Sequence, residues 1–227
     1  LKKEVERLFY DTQEINLNNE MLPESAAALI VMSPEKELTG KAQDKIYDYF
    51  HNGGRVFIAF DPLRSTNVNS FLNRFGAQML PGIVHMDENA LAASGTHLVS
   101  GLVKDPKNPL MEGLGTESVV IFYVTGALNP LPNATTEFNP LIVSPETAVL
   151  RNGFTKTDKL ISKGPFNLLV QVTDKENKHG VAFLTMNGDL FSNHFVYQHL
   201  NPTLMFNIFS SLTKDEDVIT ATPPVKS

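Results

Sequence analysis

Two short apolar runs with an amphipathic stretch between them dominate the pattern of hydrophobic positions. The runs AALIVM and VFIAF are uninterrupted rather than alternating, which is typical of strands covered on both faces of a parallel sheet. Between them Ala42, Ile46 and Phe50 recur at helical spacing, and Thr39 can cap the start of the helix. The segment from Ala26 to Pro62 therefore predicts a right-handed βαβ unit.

The same pattern predicts further, shorter elements. Helices are predicted at Leu1 to Phe9, around Phe71 to Phe75, and from Pro202 to Leu212. Strands are predicted near Gln13 to Leu17, Gly82 to Asp87, Ser118 to Leu128, Leu141 to Pro145, Asn167 to Val172 and Val181 to Met186. The stretch from Ala90 to Gly115 is predicted to be rich in loops, and ETAVLRN to be a short helix or an extended piece.

Together these elements predict an α/β fold class, with a largely parallel sheet and helices on both faces. Residues 1–217 are predicted to form one domain, in which residues 90–165 are a loop- and strand-rich elaboration. Residues 218–227 are polar and proline-bearing, and they predict a linker tail.

Composition narrows the function classes. The net charge is −6 and no cluster of Lys and Arg stands out, which argues against nucleic acid and anionic lipid as partners. Cys is absent, so disulfides, thiolate nucleophiles and Cys-ligated metals are excluded. No apolar run approaches the roughly 20 residues that a membrane-spanning helix needs.

The sequence carries no self-sufficient catalytic or cofactor motif, so no cofactor is predicted. Ser33 and Lys36 match the S-x-x-K pattern, but the same spacing recurs at Ser211 and Lys214, and the S-D-N and K-T-G elements that accompany it are missing. There is no G-x-S-x-G elbow and no phosphate-binding glycine loop. The six His residues show no metal-ligand spacing, so no metal site is predicted. His51, in the last turn of the predicted helix, is assigned a structural role near the carbonyl dipole.

One set of polar residues follows the predicted parallel strands. In such sheets the loops that leave the carboxyl ends converge on one edge, where ligands are bound. Ser, Asp and Asn at such positions commonly cap turns, which is the favoured interpretation, and a binding site for a ligand or partner is the alternative. The candidate residues are Ser33, Pro34, Asp61, Pro62, Asp189 and Asn193.

Several motifs resemble the soluble domain of the GldG family, auxiliary components of ABC transport systems first associated with gliding motility. The resemblance rests on YDTQEINLN, LPESAAALIVMSPEKELT, YFHNGGRVFIAFDP and FLNRFGAQMLPGIVHMDEN in the first half. It returns in GPFNLLVQV, HGVAFLTMNGDLFSN and NPTLMFNIFSSLTKDED near the end of the chain.

This resemblance implies a fold similar to the class I glutamine amidotransferase-like and GIFT-type domains, without catalysis. It also implies an extracytoplasmic, periplasmic position and a permease and an ATPase of the ABC type as partners. The membrane attachment would come from segments outside this chain. We expect the native gene to encode a hydrophobic segment of about 20 residues after the polar tail and another upstream of Leu1.

Two functions from different classes therefore remain open. The first is a non-enzymatic domain of an ABC-transporter auxiliary subunit that binds a partner protein or a transported substance. The second is a hydrolase or transferase of amidotransferase-like fold that uses Ser33, Asp61 or Asp189. The second needs a nucleophile and a base within hydrogen-bond reach of each other.

Overall fold

A computed structural model describes most of the chain, namely residues 2–7, 10–34, 36–64, 68–87, 97–132, 134–176 and 180–213. The predicted linker tail, residues 218–227, lies outside these ranges. The division into one domain, an elaboration and a tail stays a prediction. No helix within the described ranges has both the length and the hydropathy needed to cross a membrane.

The described residues form four α-helices and twelve strands. The helices are α1 (Lys2–Arg7), α2 (Gly40–His51), α3 (Val68–Leu72) and α4 (Asn201–Thr213). The strands are β1 (Leu29–Met32), β2 (Arg55–Ala59), β3 (Ala77–Met79), β4 (Ile83–His85), β5 (Leu98–Val103), β6 (Val119–Tyr123), β7 (Leu128–Pro130), β8 (Thr136–Val143), β9 (Val149–Arg151), β10 (Leu160–Lys163), β11 (Asn167–Asp174) and β12 (Val181–Thr185). Short 3₁₀ helices cover Asn73–Phe75 and Pro109–Met111.

The predicted βαβ unit is confirmed. β1 and β2 pair in parallel, with Val31 opposite Ile58, and α2 connects them. The Thr39 side chain accepts a hydrogen bond from the backbone N–H of Ala42, 3.3 Å away, and so caps α2. Gly76 ends the 3₁₀ helix that follows α3 in the left-handed conformation, with φ of 72°.

The predicted fold class is wrong. The main sheet has nine strands and runs β1-β2-β12-β11-β8-β5-β6, with β7 paired to β11 and to β3. Among the paired strands described, only the pairs β1–β2 and β2–β12 are parallel, and the remaining pairs are antiparallel. Helices are few, and only α2 and α4 exceed six residues among those described. The sheet is therefore mixed and mostly antiparallel, instead of largely parallel with helices on both faces.

Several local predictions also differ from the structure. The predicted strand near Gln13 to Leu17 has no strand pairing and runs into a turn. The predicted loop region contains β5, while its first residues, 90–96, lie outside the described ranges. The second half of ETAVLRN is β9, which lies between β4 and β10 in a separate three-stranded sheet.

Two hydrophobic clusters fill the space on either side of the main sheet. Successive residues of β2 alternate between them, since Phe57 belongs to one cluster and Ile58 to the other. The cluster around Ile58 includes Phe50 of α2, and the cluster around Phe57 includes Phe209 of α4. This double burial explains why β2 has an uninterrupted apolar sequence.

Candidate functional site

The carboxyl ends of the three parallel strands lie at one edge of the main sheet. We call this the carboxyl edge, and we define it as Ser33–Pro34 after β1, Asp61–Pro62 after β2, and Asn187–Asp189 after β12. Backbone hydrogen bonds link the three strand ends. The Ser33 N–H donates to the carbonyl oxygen of Ala59, 2.8 Å away, and the Phe60 N–H donates to that of Thr185, 3.1 Å away.

Ser33 and Gly188 are in close contact at this edge. A Cβ atom at position 188 would overlap with the Ser33 hydroxyl, and it would lie 3.5 Å from the backbone nitrogen of Asp61. The absence of a side chain at Gly188 therefore allows the three loops to approach one another. The structure thus brings together the residues that follow β1, β2 and β12.

Ser33 itself has an unusual conformation. Its φ is 37°, in the left-handed region that residues other than Gly rarely adopt. Its Oγ is buried and has no hydrogen-bond partner within the described residues. Val124, which follows β6 near this edge, is also left-handed, with φ of 51°. Backbone strain and an unpaired buried hydroxyl are both costly, and such costs are concentrated at functional sites.

Asp61 has a turn-forming role, and its side chain is only 26% exposed. Its Oδ1 accepts a hydrogen bond from the Leu63 N–H at 2.9 Å, and its Oδ2 lies 3.3 Å from Nε of Arg64. Arg64 is well exposed, so this ion pair contributes little to stability. The adjacent Pro62 packs near Gly126, where its Cβ would be 3.4 Å from a Cβ at that position.

The turn after β12 is held by Asn187, which is fully buried. Its Nδ2 donates to the carbonyl oxygen of Tyr123 at 2.7 Å, and its Oδ1 accepts from the Asp189 N–H at 3.1 Å. The Asp189 side chain is exposed and makes no hydrogen bond or ion pair within the described residues. Asn193 is exposed four residues further along, and Pro34 is half-buried beside Ser33.

An exposed aromatic side chain lies beside the carboxyl edge. Tyr123, whose carbonyl oxygen binds Asn187, stacks on Phe195 with ring centroids 5.3 Å apart and planes 12° from parallel. Tyr123 is 41% exposed. Exposed aromatic rings next to unpaired polar groups are typical of surfaces that bind proteins or organic ligands.

Sequence analysis did not identify Asn201, whose side chain forms hydrogen bonds with the backbone of β6, the last strand of the main sheet. Its Oδ1 accepts from the Ile121 N–H at 2.8 Å, and its Nδ2 donates to the carbonyl oxygens of Ile121 and Leu190 at 3.0 and 3.3 Å. An Asn before Pro202 reads as an ordinary helix start, so no local signal predicts this long-range contact.

A second polar cluster lies at the small sheet. Asp87 Oδ2 is 2.5 Å from Arg151 Nη2, and the rings of His85 and His97 are 5.1 Å apart. Burial, and to a lesser degree the neighbouring His85, lower the pKa of His97. The ion pair connects the ends of β4 and β9, and the ring contact connects the end of β4 with the residue before β5, so we assign both a structural role.

Chemistry at the carboxyl edge requires a base for Ser33. Within the described residues, no side chain lies within hydrogen-bond distance of Ser33 Oγ, while the Asp61 carboxylate is engaged with its own turn. A serine nucleophile depends on an adjacent general base, and the described residues place none beside Ser33.

Replacing Gly188 by Ala tests the contact with Ser33. We expect Gly188→Ala to lower the free energy of unfolding by about 1–3 kcal/mol, because the new methyl group must displace Ser33. Ser33→Gly removes the hydroxyl and suits the left-handed φ, so the double variant should recover about 1 kcal/mol or more of this loss. Urea unfolding of the four proteins measures the coupling. Independent, additive effects of the two substitutions would contradict the packing of Gly188 on Ser33.

Solved structures show which proteins share this fold. The mmIFT52 N-terminal domain superimposes with a TM-score of 0.69 at 13% identity, covering 96% of this chain and 91% of that one. A putative ThuA-like protein from Parabacteroides merdae gives a TM-score of 0.50 at 13% identity, covering 90% of this chain and 77% of that one. At these identities the similarity shows the fold alone.

Sequence comparison gives the family. No curated protein sequence matches the chain significantly. The family model described as an ABC-type uncharacterized transport system matches residues 1–160. Because this match spans more than half of the chain, the protein belongs to that family, whose members are auxiliary components of ABC transport systems.

Proposed function

We propose that this chain is a non-enzymatic, extracytoplasmic domain of an ABC-transporter auxiliary subunit of the GldG type, which binds its partner at the carboxyl edge. The observation that carries the proposal is the convergence of three strand ends around Ser33, with its left-handed backbone and unpaired buried Oγ. Polar groups that are strained or unpaired in the isolated domain can gain hydrogen bonds when a partner covers them.

The surroundings of this edge support a protein partner. The exposed carboxylate of Asp189 and the partly exposed carboxylate of Asp61 offer charge for orientation, while Tyr123 offers exposed aromatic area. Buried aromatic anchors with a polar rim are the usual composition of a protein–protein interface. The permease of the transport system is the partner that the family membership favours, and the ATPase would join through the permease.

The extracytoplasmic position and the membrane anchors are part of this proposal. They follow from the resemblance to the GldG family, in which the soluble domain lies between membrane helices. Hydrophobic segments encoded before residue 1 and after residue 227 would place the domain beside its permease.

Neutralising the two carboxylates tests the proposed binding edge. We expect Asp61→Asn with Asp189→Asn to weaken binding to the purified cognate permease by about tenfold or more, which corresponds to roughly 1.4 kcal/mol. Asn keeps the turn-forming oxygen of Asp61, so the free energy of unfolding should fall by less than about 1 kcal/mol. Biolayer interferometry with immobilised permease measures the affinity.

Asp48→Asn is the matched control. Asp48 is exposed on α2, towards the end of the helix that lies by the amino ends of the strands. It should bind the permease as the unaltered protein does. Normal binding by the double variant would refute the carboxyl edge as the site, and equal losses in the control would attribute the effect to net charge.

A further inference from the structure

Three side chains with metal-ligand chemistry meet at the edge of the main sheet opposite the carboxyl edge. His51 is the last residue of α2, Asp174 is the last residue of β11, and Glu176 lies in the turn that follows β11. Because β11 is antiparallel to β12, the end of β11 lies beside the start of β12 and near the amino end of β2. We propose that these three residues bind a divalent transition-metal ion, for which Zn²⁺ is the probe.

The geometry of the three ligands carries this proposal. One ligand atom from each residue can be chosen so that all three atoms lie within 4.8 Å of one another. His51 Nδ1 is already 2.6 Å from Asp174 Oδ2. Zinc bonds of about 2.0–2.2 Å in a tetrahedral site place ligand atoms roughly 3.4 Å apart. Small rotations of the exposed Glu176 side chain and the His51 ring are therefore sufficient to admit an ion.

The ligand set is held in place before any ion arrives. The Asp174 side chain is only 3% exposed, and its Oδ1 accepts a hydrogen bond from the backbone N–H of Glu176 at 2.8 Å. This contact places Glu176 beside Asp174. The ring of Tyr47 stacks on His51, with centroids 5.8 Å apart and planes 11° from parallel, and so orients the imidazole. Oriented ligands cost less conformational entropy when an ion binds.

The electrostatic environment also favours a cation. Two carboxylates face one imidazole, and the carboxyl-terminal end of the α2 dipole points to the same place. One imidazole with two carboxylates leaves a fourth position for water, which is the arrangement of an open zinc site.

Zinc binding by the metal-free protein at pH 7.5 tests the proposal, since His51 must be neutral to act as a ligand. Isothermal titration calorimetry should show one Zn²⁺ bound per chain. Glu176→Gln, Asp174→Asn and His51→Gln should each weaken binding at least about tenfold. At a Zn²⁺ concentration of 100 times Kd, the ratio of folded to unfolded protein should rise about 100-fold, and the melting temperature should rise with it.

Two matched substitutions complete the test. Glu146→Gln is the control for Glu176→Gln, because Glu146 is exposed and follows the end of β8, whereas Asp174 pairs with the start of β8. His194→Gln is the control for His51→Gln, because His194 is exposed. Both should bind Zn²⁺ with unchanged affinity. Glu176 is exposed, so Glu176→Gln should fold normally. Its Zn²⁺ titration can therefore be interpreted even if Asp174→Asn unfolds. Absence of Zn²⁺ binding by the unaltered chain, or equal binding by Glu176→Gln, would overturn the proposal. Because the proposed metal site lies at the edge opposite the carboxyl edge, a negative result for Zn²⁺ binding would not count against the proposed partner site.

Discussion

Ile58→Asp is expected to abolish cooperative folding of this protein. Ile58 is fully buried in β2, between β1 and β12, with Val31 and Leu184 as its neighbours in register. The new carboxylate would lie among apolar side chains without a partner, at a cost of several kcal/mol. The total stability of a domain is about 5–15 kcal/mol, so much of it would be lost. Because the chain has no Trp, urea unfolding followed by far-UV circular dichroism is the appropriate measurement.

Two control substitutions distinguish the cost of burying a charge from the cost of any change at position 58 and from the cost of any Ile→Asp change. Ile58→Val removes one methyl group and should cost about 0.5–1.5 kcal/mol. Ile161→Asp makes the same change as Ile58→Asp on the exposed side of β10, where the cost should be close to that of an ordinary surface substitution, about 0.5 kcal/mol. A cooperative melt of Ile58→Asp near that of the unaltered protein would show that β2 is not a central strand.

The βαβ unit could be predicted because all its signals are local. The apolar runs, the helical spacing of Ala42, Ile46 and Phe50, and the Thr39 cap lie within one continuous segment. Elements adjacent in sequence are usually adjacent in space, so their pairing follows from their order. Gly76 was predictable for the same reason, since a helix stop needs a residue that tolerates positive φ.

The fold class was mispredicted because an apolar strand does not encode the direction of its neighbours. β12 is parallel to β2 on one side and antiparallel to β11 on the other, yet its sequence VAFLT would suit either pairing. The prediction extended the parallel arrangement of β1 and β2 to the whole sheet. β11 and β12 are joined by a short connection, and strands joined in this way pair antiparallel because a parallel pair needs a long crossover. The same holds for β5 and β6, which also follow each other in the chain and pair antiparallel.

β5 shows how a glycine can mislead. Gly101 belongs to the stretch that was predicted to be rich in loops, but it lies in the middle of this strand, where a Cβ would be 2.5 Å from Ile142 Cγ2 and 2.6 Å from Phe122 Cε2. The glycine is thus explained by close packing against the neighbouring strands. Such a requirement depends on residues distant in sequence, and a single sequence does not reveal it.

At the candidate site, the position was predictable and the contacts were not. The carboxyl ends of β1, β2 and β12 share one edge because the three strands are parallel, as the sequence suggested for Ser33, Asp61 and Asp189. The contact of Ser33 with Gly188 and the attachment of Asn187 to β6 depend on tertiary packing. His51 was predicted to be structural, and nothing in the sequence placed Asp174 beside it.

Asn201→Asp is expected to be the most damaging polar substitution near the carboxyl edge. Asn201 is fully buried, and its amide nitrogen donates to two carbonyl oxygens, those of Ile121 and Leu190. A carboxylate keeps the acceptor for the Ile121 N–H but faces both carbonyl oxygens with negative charge. Each buried group left unsatisfied costs about 1–3 kcal/mol, so the free energy of unfolding should fall by about 2–6 kcal/mol at pH 8.

The pH dependence of this loss identifies its cause. Burial beside two carbonyl oxygens should raise the pKa of the introduced carboxyl group above its unfolded value of about 3.9. The folded state then binds more protons than the unfolded state, so lowering the pH towards the raised pKa restores stability. The difference in free energy of unfolding from the unaltered protein should therefore be smaller at pH 5 than at pH 8, because a protonated carboxyl group can donate to one of the carbonyl oxygens.

Asn207→Asp is the control, since Asn207 is half-buried on the same helix and also donates to two carbonyl oxygens, those of Leu110 and Glu112. Water can replace its bonds, so its cost should stay near 1 kcal/mol with little change between the two pH values. If the cost of Asn201→Asp and its pH dependence match those of this control, the hydrogen bonds of Asn201 with β6 do not stabilise the fold.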